Sequence, residues 1–318
     1  MFRKDAGISF LIASVAALLL SMGSVCGQSL TPDSGVASLS VPSIRELKAS
    51  NTEFHVPLRG RQFVLHGYLP TEIENGAPLV LYSSGSGGWH DFDQYVATAL
   101  AKRGMPVFGV STHSYLRDFY NDKHPATFAA VAEDYGELIK QARTIANIDD
   151  SRPVILAGWS LGAGYAPLIA SDPRIKPNVL GVITLALSRD NETALTAGHR
   201  LMSHLMGRTF GPSFDVSQYL ARVAPVPVAI VQAARDRTAS PSAAQQLISR
   251  VSSDQTSKIR LFQVTAGHTH SFAGGRPEFD QTLDEVITWF RTQAPTRLTP
   301  GSPAGSALVT VPAANWPL

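Results

Sequence analysis

Cysteine is nearly absent from this sequence of 318 residues, in which Cys26 is the only one. A single thiol cannot form an intrachain disulfide or a cysteine-based metal site. Cys26 also lies in an N-terminal segment with the features of a cleaved targeting sequence, so we expect no cysteine nucleophile in the mature chain. An exported protein without disulfides is more typical of a bacterial envelope than of a small secreted scaffold.

Charge is also scarce, because charged residues make up 16% of the chain and the formal net charge is +2. Such a small charge gives no basic field for a nucleic acid, and no run of like charges marks an interaction tail. The metal-binding pattern His-Glu-x-x-His and the Gly-Lys-Ser/Thr of a phosphate-binding loop are both missing. We therefore expect no nucleic-acid partner, no metal and no organic cofactor.

The first 27 residues have the features of a signal peptide. Two basic residues precede an apolar stretch, residues 8–20, that is too short to span a bilayer comfortably. We expect cleavage after Gly27, with Val25 and Gly27 at the recognition positions, and export to the periplasm. Lipidation at Cys26 and an uncleaved anchor are the alternatives.

Composition divides the rest of the chain into three parts. Residues 28–50 are rich in Ser, Pro and Thr and predict a flexible leader, and residues 294–318 are rich in Pro, Gly, Ser and Ala and predict a disordered tail. Hydrophobic residues form 44% of the chain, which is ample for a core. We therefore expect one domain at residues 51–293.

The predicted domain begins with an antiparallel hairpin and continues with alternating strands and helices. The hairpin pairs residues 54–56 with residues 63–68. Apolar runs predict strands at 79–82, 107–110, 153–157, 179–187, 226–231 and 259–264. Apolar stripes of helical period predict helices at 91–103, 126–146, 241–251 and 279–291. This alternation predicts an α/β fold with a mostly parallel central sheet and helices on both of its faces.

The most informative motif is Gly158-Trp159-Ser160-Leu161-Gly162, which lies between a predicted strand and a segment that can open a helix. A Gly-x-Ser-x-Gly turn in that position is the nucleophile elbow of the α/β-hydrolase fold. The turn is so tight that its serine is strained and that neither flanking glycine can carry a side chain. The motif therefore predicts a nucleophilic Ser160, held above the sheet at the positive end of a helix.

An insertion interrupts the alternation after the predicted strand 179–187. It covers residues 188–222 and contains a helix-compatible stretch at 194–206. An insertion at this place in the fold usually forms a cap over the active site, so we expect a small cap. The alternative is a surface excursion that does not contact the substrate.

A serine hydroxyl needs a base and an orienting acid before it becomes a strong nucleophile. In this fold the chain order is serine, acid, histidine. Asp236 follows the next-to-last predicted strand, and both His268 and His270 follow the last one. We predict Asp236 as the acid and favour His270 as the base, with His268 as the alternative base. Asp190 and Glu192 are the alternative acids.

The oxyanion of an acyl-transfer reaction needs two backbone N–H donors. One is expected from Leu161, the residue after the serine. The other is expected from the glycine-rich loop 83–89, with Ser86 as the first choice and Gly87 as the second. The alternatives for this loop are a flexible turn and a phosphate-binding loop, of which the latter lacks its lysine.

Residues 84–89 read Ser-Gly-Ser-Gly-Gly-Trp, and the elbow with its next residue reads Gly-Trp-Ser-Leu-Gly-Ala. These motifs resemble the Ser-Gly-Asp-Gly-Gly-Trp and Gly-Tyr-Ser-Phe-Gly-Ala of the VirJ-type bacterial virulence proteins, a periplasmic branch of the α/β-hydrolases. Ser86 replaces the aspartate of the first motif. Residues 270–274 align with a His-His-Phe-Asp-Gly-type stretch, which favours His270 as the base. The similarity also includes residues 214–216, two prolines, Pro125 and Pro167, and most of the predicted domain.

The resemblance implies cleavage of an ester such as that of an aminoacylated phosphatidylglycerol, and an association with type IV secretion. The expected substrate is a small-molecule or lipid ester, and a lipid would imply peripheral contact with the membrane surface. We predict an exported serine hydrolase that acts through Ser160, His270, Asp236 and an acyl-enzyme. The alternatives are a non-catalytic binding protein of the cell envelope, associated with secretion or virulence, and a peptidase.

Overall fold

A central sheet of eight strands is the frame of the part of the chain that the structure describes. This computed structural model describes residues 50–73, 76–195, 211–251 and 258–293. The described strands are β1 (Ser50–Leu58), β2 (Arg61–Leu69), β3 (Leu79–Ser83), β4 (Val107–Val110), β5 (Val154–Trp159), β6 (Val179–Leu185), β7 (Asp190–Glu192), β8 (Ser213–Asp215), β9 (Val228–Ala233) and β10 (Ile259–Val264).

The central sheet has the order β1-β2-β4-β3-β5-β6-β9-β10. The pairs β1–β2 and β2–β4 are antiparallel, and every pair from β4 to β10 is parallel. The mostly parallel sheet predicted from the alternation of strands and helices is therefore confirmed. Parallel strands bring their carboxyl ends to one edge of the sheet, which is where ligands bind in open α/β sheets.

Helices cover both faces of this sheet. They are α1 (Asp91–Ala101), α2 (Thr112–Phe119), α3 (Phe128–Ala146), α4 (Leu161–Ala170), α5 (Ser217–Val223), α6 (Pro241–Val251) and α7 (Arg276–Gln293), with a 3-10 turn at Lys176–Asn178. Residues of α1 and α7 belong to one apolar core layer, and residues of α2 to α6 belong to the other. The two layers bury both faces of the sheet, as the prediction of an α/β fold required.

The strands supply both core layers because successive side chains point to opposite faces. In β3, Leu79 and Leu81 lie in the layer beneath α3 and α4, whereas Val80 and Tyr82 lie in the layer beneath α1 and α7. All five residues of β3 are buried. A continuous apolar run is therefore the sequence pattern of a central strand in this sheet.

The hairpin of β1 and β2 is longer than the sequence patterns indicate. A two-residue turn, Arg59 and Gly60, joins the strands. Both residues have positive φ, at 49° and 72°, as in the type I′ turns whose twist matches that of the strands. The turn thereby fixes the register in which β1 covers the edge of β2.

Several strand boundaries differ from the predicted ones by one or two residues, and two of these differences have a clear backbone cause. The predicted strand 179–187 ends at Leu185, because Ala186 takes a left-handed conformation with φ of 52°. The next predicted strand begins later, at Val228, because the preceding Pro227 has no N–H to contribute to the ladder. Four short elements, α2, α5, β7 and β8, were absent from the predicted set.

The described part of the insertion at 188–222 packs against α4 and α3. β7 and β8 form a separate antiparallel pair. The hydroxyl of Tyr165 on α4 donates to the carbonyl of Glu192 at 2.8 Å, and its ring meets that of Phe214 edge-on with centroids 5.5 Å apart. Residues 196–210, which hold most of the predicted helix 194–206, lie outside the described residues, and the cap stays a prediction.

The predicted signal peptide, the leader up to residue 49 and the predicted tail also lie outside the described residues. Within the described ranges, no helix combines the length and the apolar character needed to cross a membrane. The same ranges contain no group of three His, Cys, Asp or Glu side chains arranged to hold a metal ion.

Candidate active site

Ser160 lies in the sharp turn between β5 and α4. Its backbone has φ of 54° and ψ of −115°, a conformation that costs about 1–3 kcal/mol in a residue other than glycine. A Cβ at Gly158 would overlap the carbonyl of Gly162, and a Cβ at Gly162 would overlap the carbonyl of Ser83. The Ser160 N–H donates to the carbonyl of Leu185 at 2.9 Å. The turn therefore has the tight geometry that the motif predicted.

Asp236 lies in the turn after β9 and is held by both of its carboxylate oxygens. Its side chain is 2% exposed. Oδ1 accepts from the N–H groups of Thr238 at 2.7 Å and Ala239 at 3.1 Å, and Oδ2 accepts from Nδ1 of His270 at 2.7 Å. Because an ionised carboxylate can only accept, Nδ1 carries a proton, so in the neutral imidazole the lone pair lies on Nε2. This is the tautomer that a histidine base requires.

Asp236 favours its ionised form despite its burial. Burial raises the pKa of this carboxyl, but the hydrogen bond from His270, the charge of that imidazole and the N–H groups of Ala239 and Thr238 together lower the pKa below its usual value. A carboxylate that stays charged in a buried position can orient His270 and stabilise its cation.

Trp159 joins the histidine loop to the serine turn. Its indole Nε1–H donates to the carbonyl of His270 at 2.9 Å, and the two rings lie with centroids 5.6 Å apart. Trp159 directly precedes Ser160, so this bond holds His270 beside the elbow. Ser160, His270 and Asp236 thus follow the carboxyl ends of β5, β10 and β9 at one edge of the sheet.

The hydroxyl of Ser160 makes no hydrogen bond to another residue that the structure describes. Catalytic hydrogen bonds are commonly long in unliganded enzymes and tighten when the substrate binds. Trp159 was not among the predicted site residues. Its only sequence signal was its position between the first glycine and the serine of the motif.

The alternative base is bonded to Arg235, and the alternative acids lie in a different element from Asp236. Nδ1 of His268 lies 2.9 Å from Nη1 of Arg235, and a guanidinium can only donate, so this nitrogen accepts. Asp190 and Glu192 lie in β7, the strand that pairs with β8. Of the two candidate histidines, His270 is therefore the one whose ring contacts the predicted acid.

The glycine-rich loop after β3 lies against the serine turn. The N–H of Gly162 donates to the carbonyl of Ser84 at 3.1 Å. A Cβ at Gly85 would lie 3.5 Å from Cβ of Ser160. Residues 84 and 85 therefore lie directly beside the candidate nucleophile, at the start of the loop from which an oxyanion donor is predicted.

Several N–H groups at this junction have no acceptor among the described residues. Three of them are the predicted donors, namely the N–H groups of Leu161, Ser86 and Gly87. The fourth is the N–H of Gly85, which was not among the predicted donors. Leu161 is the first residue of α4, so its N–H lies at the positive end of the helix dipole. Unpaired N–H groups beside a serine can hold a developing oxyanion.

Two large cavities are formed by the described residues. One of about 860 Å³ is lined by Asp236, His270, His268 and the neighbouring residues of both loops. The other, of about 880 Å³, lies between α3 and the start of β5. The first cavity contains the hydrogen-bonded pair of the candidate site, whereas the second contains no predicted site residue.

Solved structures with a similar fold include several hydrolases. A protein from Klebsiella pneumoniae subsp. pneumoniae assigned as a dienelactone hydrolase has a TM-score of 0.56 and 14% identity, covering 76% of this chain and 98% of its own. Est1E from Butyrivibrio proteoclasticus has a TM-score of 0.53 and 15% identity, covering 76% and 100%. An alpha-beta serine hydrolase homologue from Coxiella burnetii has a TM-score of 0.51 and 16% identity, covering 75% and 98%. These likenesses show the α/β-hydrolase fold.

Sequence comparison gives the family. No curated protein sequence matches the chain significantly. The profile of the family described as "Bacterial virulence protein (VirJ)" matches residues 78–252, which is more than half of the chain. The match includes the glycine-rich loop, the serine turn and Asp236, and it confirms the resemblance seen in their motifs. The chain therefore belongs to the VirJ family of bacterial virulence proteins and has the α/β-hydrolase fold.

Proposed function

We propose that this protein is a serine hydrolase that cleaves ester bonds through Ser160, His270 and Asp236. The observation that carries the proposal is the 2.7 Å hydrogen bond between the buried carboxylate of Asp236 and His270. The carbonyl of His270 in turn accepts from the indole of Trp159, the residue before the strained Ser160. Strained serines and buried charged pairs concentrate at functional sites. The hydrolases among the structural neighbours support the same class of activity.

In the proposed reaction, the Oγ atom of Ser160 attacks the ester carbonyl while Nε2 of His270 accepts the hydroxyl proton. Asp236 stabilises the imidazolium that forms. The negative charge of the tetrahedral intermediate falls on the former carbonyl oxygen, where the N–H of Leu161 and an N–H from Ser86 or Gly87 donate to it.

Collapse of this intermediate breaks the bond to the leaving alcohol, which takes the proton from His270 and departs. The acyl group then remains on Ser160 as an ester. A water molecule gives a proton to His270 and attacks the acyl-enzyme, and a second collapse releases the acid and returns the proton to Ser160. No redox step or organic cofactor enters this scheme.

The proposal is tested by ester turnover in matched variants. We expect the purified protein to hydrolyse p-nitrophenyl acetate or butyrate, and Ser160→Ala to lower kcat by about 1,000-fold or more. His270→Gln is expected to do the same, whereas His268→Gln should stay within about threefold of the wild type. A loss in His268→Gln with turnover intact in His270→Gln would assign the base to the other imidazole.

The first competing function is a non-catalytic binding protein with this fold. It predicts that the folded wild type turns over no ester and that Ser160→Ala changes no measured property. A peptidase is the second, because amide and ester cleavage use the same groups. Cleavage of a peptide library by the wild type at rates comparable with ester turnover would favour it.

We further propose that the protein acts in the periplasm on a small-molecule or lipid ester, with an aminoacylated phospholipid as the substrate that the family resemblance suggests. The first measurement is the N-terminus of the protein recovered from the periplasm of the native host. We expect a mature chain that begins at Gln28. A diacylglyceryl group on Cys26 would contradict this and indicate a membrane-anchored lipoprotein.

A further inference from the structure

In the glycine-rich loop, the carbonyl groups of residues 84–87 are all engaged, whereas the N–H groups of residues 85–87 are not. The carbonyls of Ser84, Gly85, Ser86 and Gly87 accept, respectively, from the N–H of Gly162 at 3.1 Å, the N–H of Gly88 at 3.3 Å, Nδ1 of His113 at 2.9 Å and Nε2 of His90 at 2.9 Å. A trans peptide holds its C=O and the next N–H in opposite directions. Fixing these carbonyls therefore also fixes where the free N–H groups of residues 85–87 point.

The bond from His113 controls one peptide in particular. The carbonyl of Ser86 and the N–H of Gly87 belong to the same peptide plane. Because a carbonyl can only accept, Nδ1 of His113 must carry the proton. The loop contains glycines at 85, 87 and 88, whose backbones have little steric preference. Without a donor at the Ser86 carbonyl, this peptide is free to flip and exchange its N–H for a C=O, which repels a developing oxyanion.

His113 is also placed better than His90 for this role. It lies on α2, and the N–H of the neighbouring Thr112 donates to Ser84 Oγ at 3.1 Å, so α2 contacts the loop at two points. The His113 imidazole is half-buried, whereas His90 is exposed and lies only three residues from the carbonyl it contacts. A partly buried bond that joins two separate elements restrains a loop more strongly than an exposed local one.

We propose that His113 is a positioning residue: its Nδ1–H holds the Ser86–Gly87 peptide in the orientation that gives the oxyanion hole its N–H donor. The inference rests on the proposed function, since it assumes that the loop stabilises an oxyanion. His113 acts through the peptide and does not itself exchange a proton with the substrate. It must therefore affect the chemical step more than substrate binding, because the oxyanion exists only in the transition state and the intermediate.

The test compares two substitutions that differ in one hydrogen-bond donor. His113→Leu removes the donor, and His113→Asn keeps an N–H close to the position of Nδ1. His113 lines an open cavity of about 400 Å³, so neither variant leaves an enclosed void. The exposed His55 on β1 supplies the control His55→Leu.

In p-nitrophenyl ester hydrolysis, we expect His113→Leu to lower kcat by about 10- to 100-fold with KM within about threefold, since complete loss of a donor costs about 100- to 1,000-fold. His113→Asn should recover kcat to within about fivefold of the wild type. The control His55→Leu should have the kcat of the wild type. Equal kcat values in His113→Leu and His113→Asn, whether high or low, would overturn the inference.

A second readout does not depend on turnover. Nitrogen-15 NMR of the wild-type protein reports which ring nitrogen of His113 carries the proton in the neutral form. We expect the Nδ1–H tautomer, and an Nε2–H tautomer would overturn the inference on its own. A wild type that shows this tautomer but hydrolyses no ester would contradict the proposed hydrolase activity, while the clamp on the loop would stand.

Discussion

At the scale of single residues, the state of Asp236 decides how His270 is held. Its Oδ1 is occupied by two backbone N–H groups, so Oδ2 is the oxygen left for the imidazole. An amide in place of the carboxylate would accept the backbone bonds through its oxygen and turn its NH₂ group toward Nδ1. That arrangement favours the wrong tautomer, with the proton on Nε2.

We therefore expect Asp236→Asn to lower kcat for p-nitrophenyl ester hydrolysis by about 1,000- to 10,000-fold near pH 7. The substitution keeps the size of the side chain, and circular dichroism should show an unchanged fold. Asp190→Asn, in the alternative acid on β7, is the control and should retain the wild-type kcat. A loss below about tenfold in Asp236→Asn would contradict the assigned role of this carboxylate.

Asp93 is a second buried carboxyl, but its pKa is shifted in the opposite direction. It is 0% exposed, and it accepts from the Tyr82 hydroxyl and the His90 N–H, both at 3.0 Å. Burial raises its pKa to about 6, and these two hydrogen bonds offset only part of that effect. The folded state therefore binds this proton more tightly than the unfolded state, in which the pKa is near 4.

The sign of the pH dependence follows from this difference. The stabilisation by the Asp93 proton is fully present below pH 4 and is lost as the pH rises through about 6. Relative to Asp93→Asn, the wild type should lose about 2 kcal/mol of unfolding free energy between pH 4 and pH 7. Urea denaturation of both proteins at the two pH values measures it. The control is Asp91→Asn, at an exposed position. If the difference in unfolding free energy between the wild type and Asp93→Asn is the same at both pH values, the raised pKa of Asp93 is contradicted.

At the scale of elements, the β5–turn–α4 unit depends on two backbone contacts that exclude any side chain. We expect Gly158→Ala to lower the free energy of unfolding by about 3 kcal/mol or more, because its Cβ would overlap the backbone of Gly162. Gly136 on α3 is the matched control, since a Cβ there would meet nothing closer than 4.0 Å. Gly136→Ala should raise the unfolding free energy by about 0.5–1 kcal/mol.

Urea denaturation at 25 °C separates these two glycine substitutions by sign. Equal changes in both variants would mean that Gly158 is an ordinary turn residue and that the elbow tolerates a side chain. A soluble but unfolded Gly158→Ala would agree with the expected clash. In that case, thermal unfolding of Gly136→Ala alone still tests the effect in the helix.

The elements that the sequence predicted are those whose signals are local. The strand–turn–helix pattern around Ser160 lies within a few residues, and the long apolar stripe of α3 repeats over several turns. In contrast, α2 spans only eight residues, and β7 and β8 have three residues each. Such short elements are stabilised by contacts distant in sequence, α2 by packing against α3 and β7 and β8 by contacts with α4. A single sequence does not encode those contacts locally.

The same distinction between local signals and long-range contacts applies to the candidate site. The order of Ser160, Asp236 and His270 could be predicted because each follows a recognisable strand. The links from Trp159 to His270 and from His113 to Ser86 could not, because they join residues 111 and 27 positions apart. The family resemblance already favoured His270 over His268, and the structure adds that the latter is bonded to Arg235.

At the scale of the whole molecule, the described domain has an extensive core of its own. The buried apolar residues among the described ones run from Val56 to Phe290, and they form two layers on the two faces of the sheet. We therefore expect a chain trimmed to residues 46–293 to unfold cooperatively, with a Tm within about 3 °C of the chain that begins at Gln28. Calorimetry measures both, and a fall of about 10 °C or more would mean that the trimmed ends contribute to the fold.

The central claim, that Ser160 is an activated nucleophile, is tested most directly by a fluorophosphonate probe and mass spectrometry. We predict one adduct on Ser160 in the folded wild type, none in Ser160→Ala and strongly slowed labelling in His270→Gln. A folded wild type that takes up no probe, or labelling that persists unchanged in Ser160→Ala, would contradict the claim.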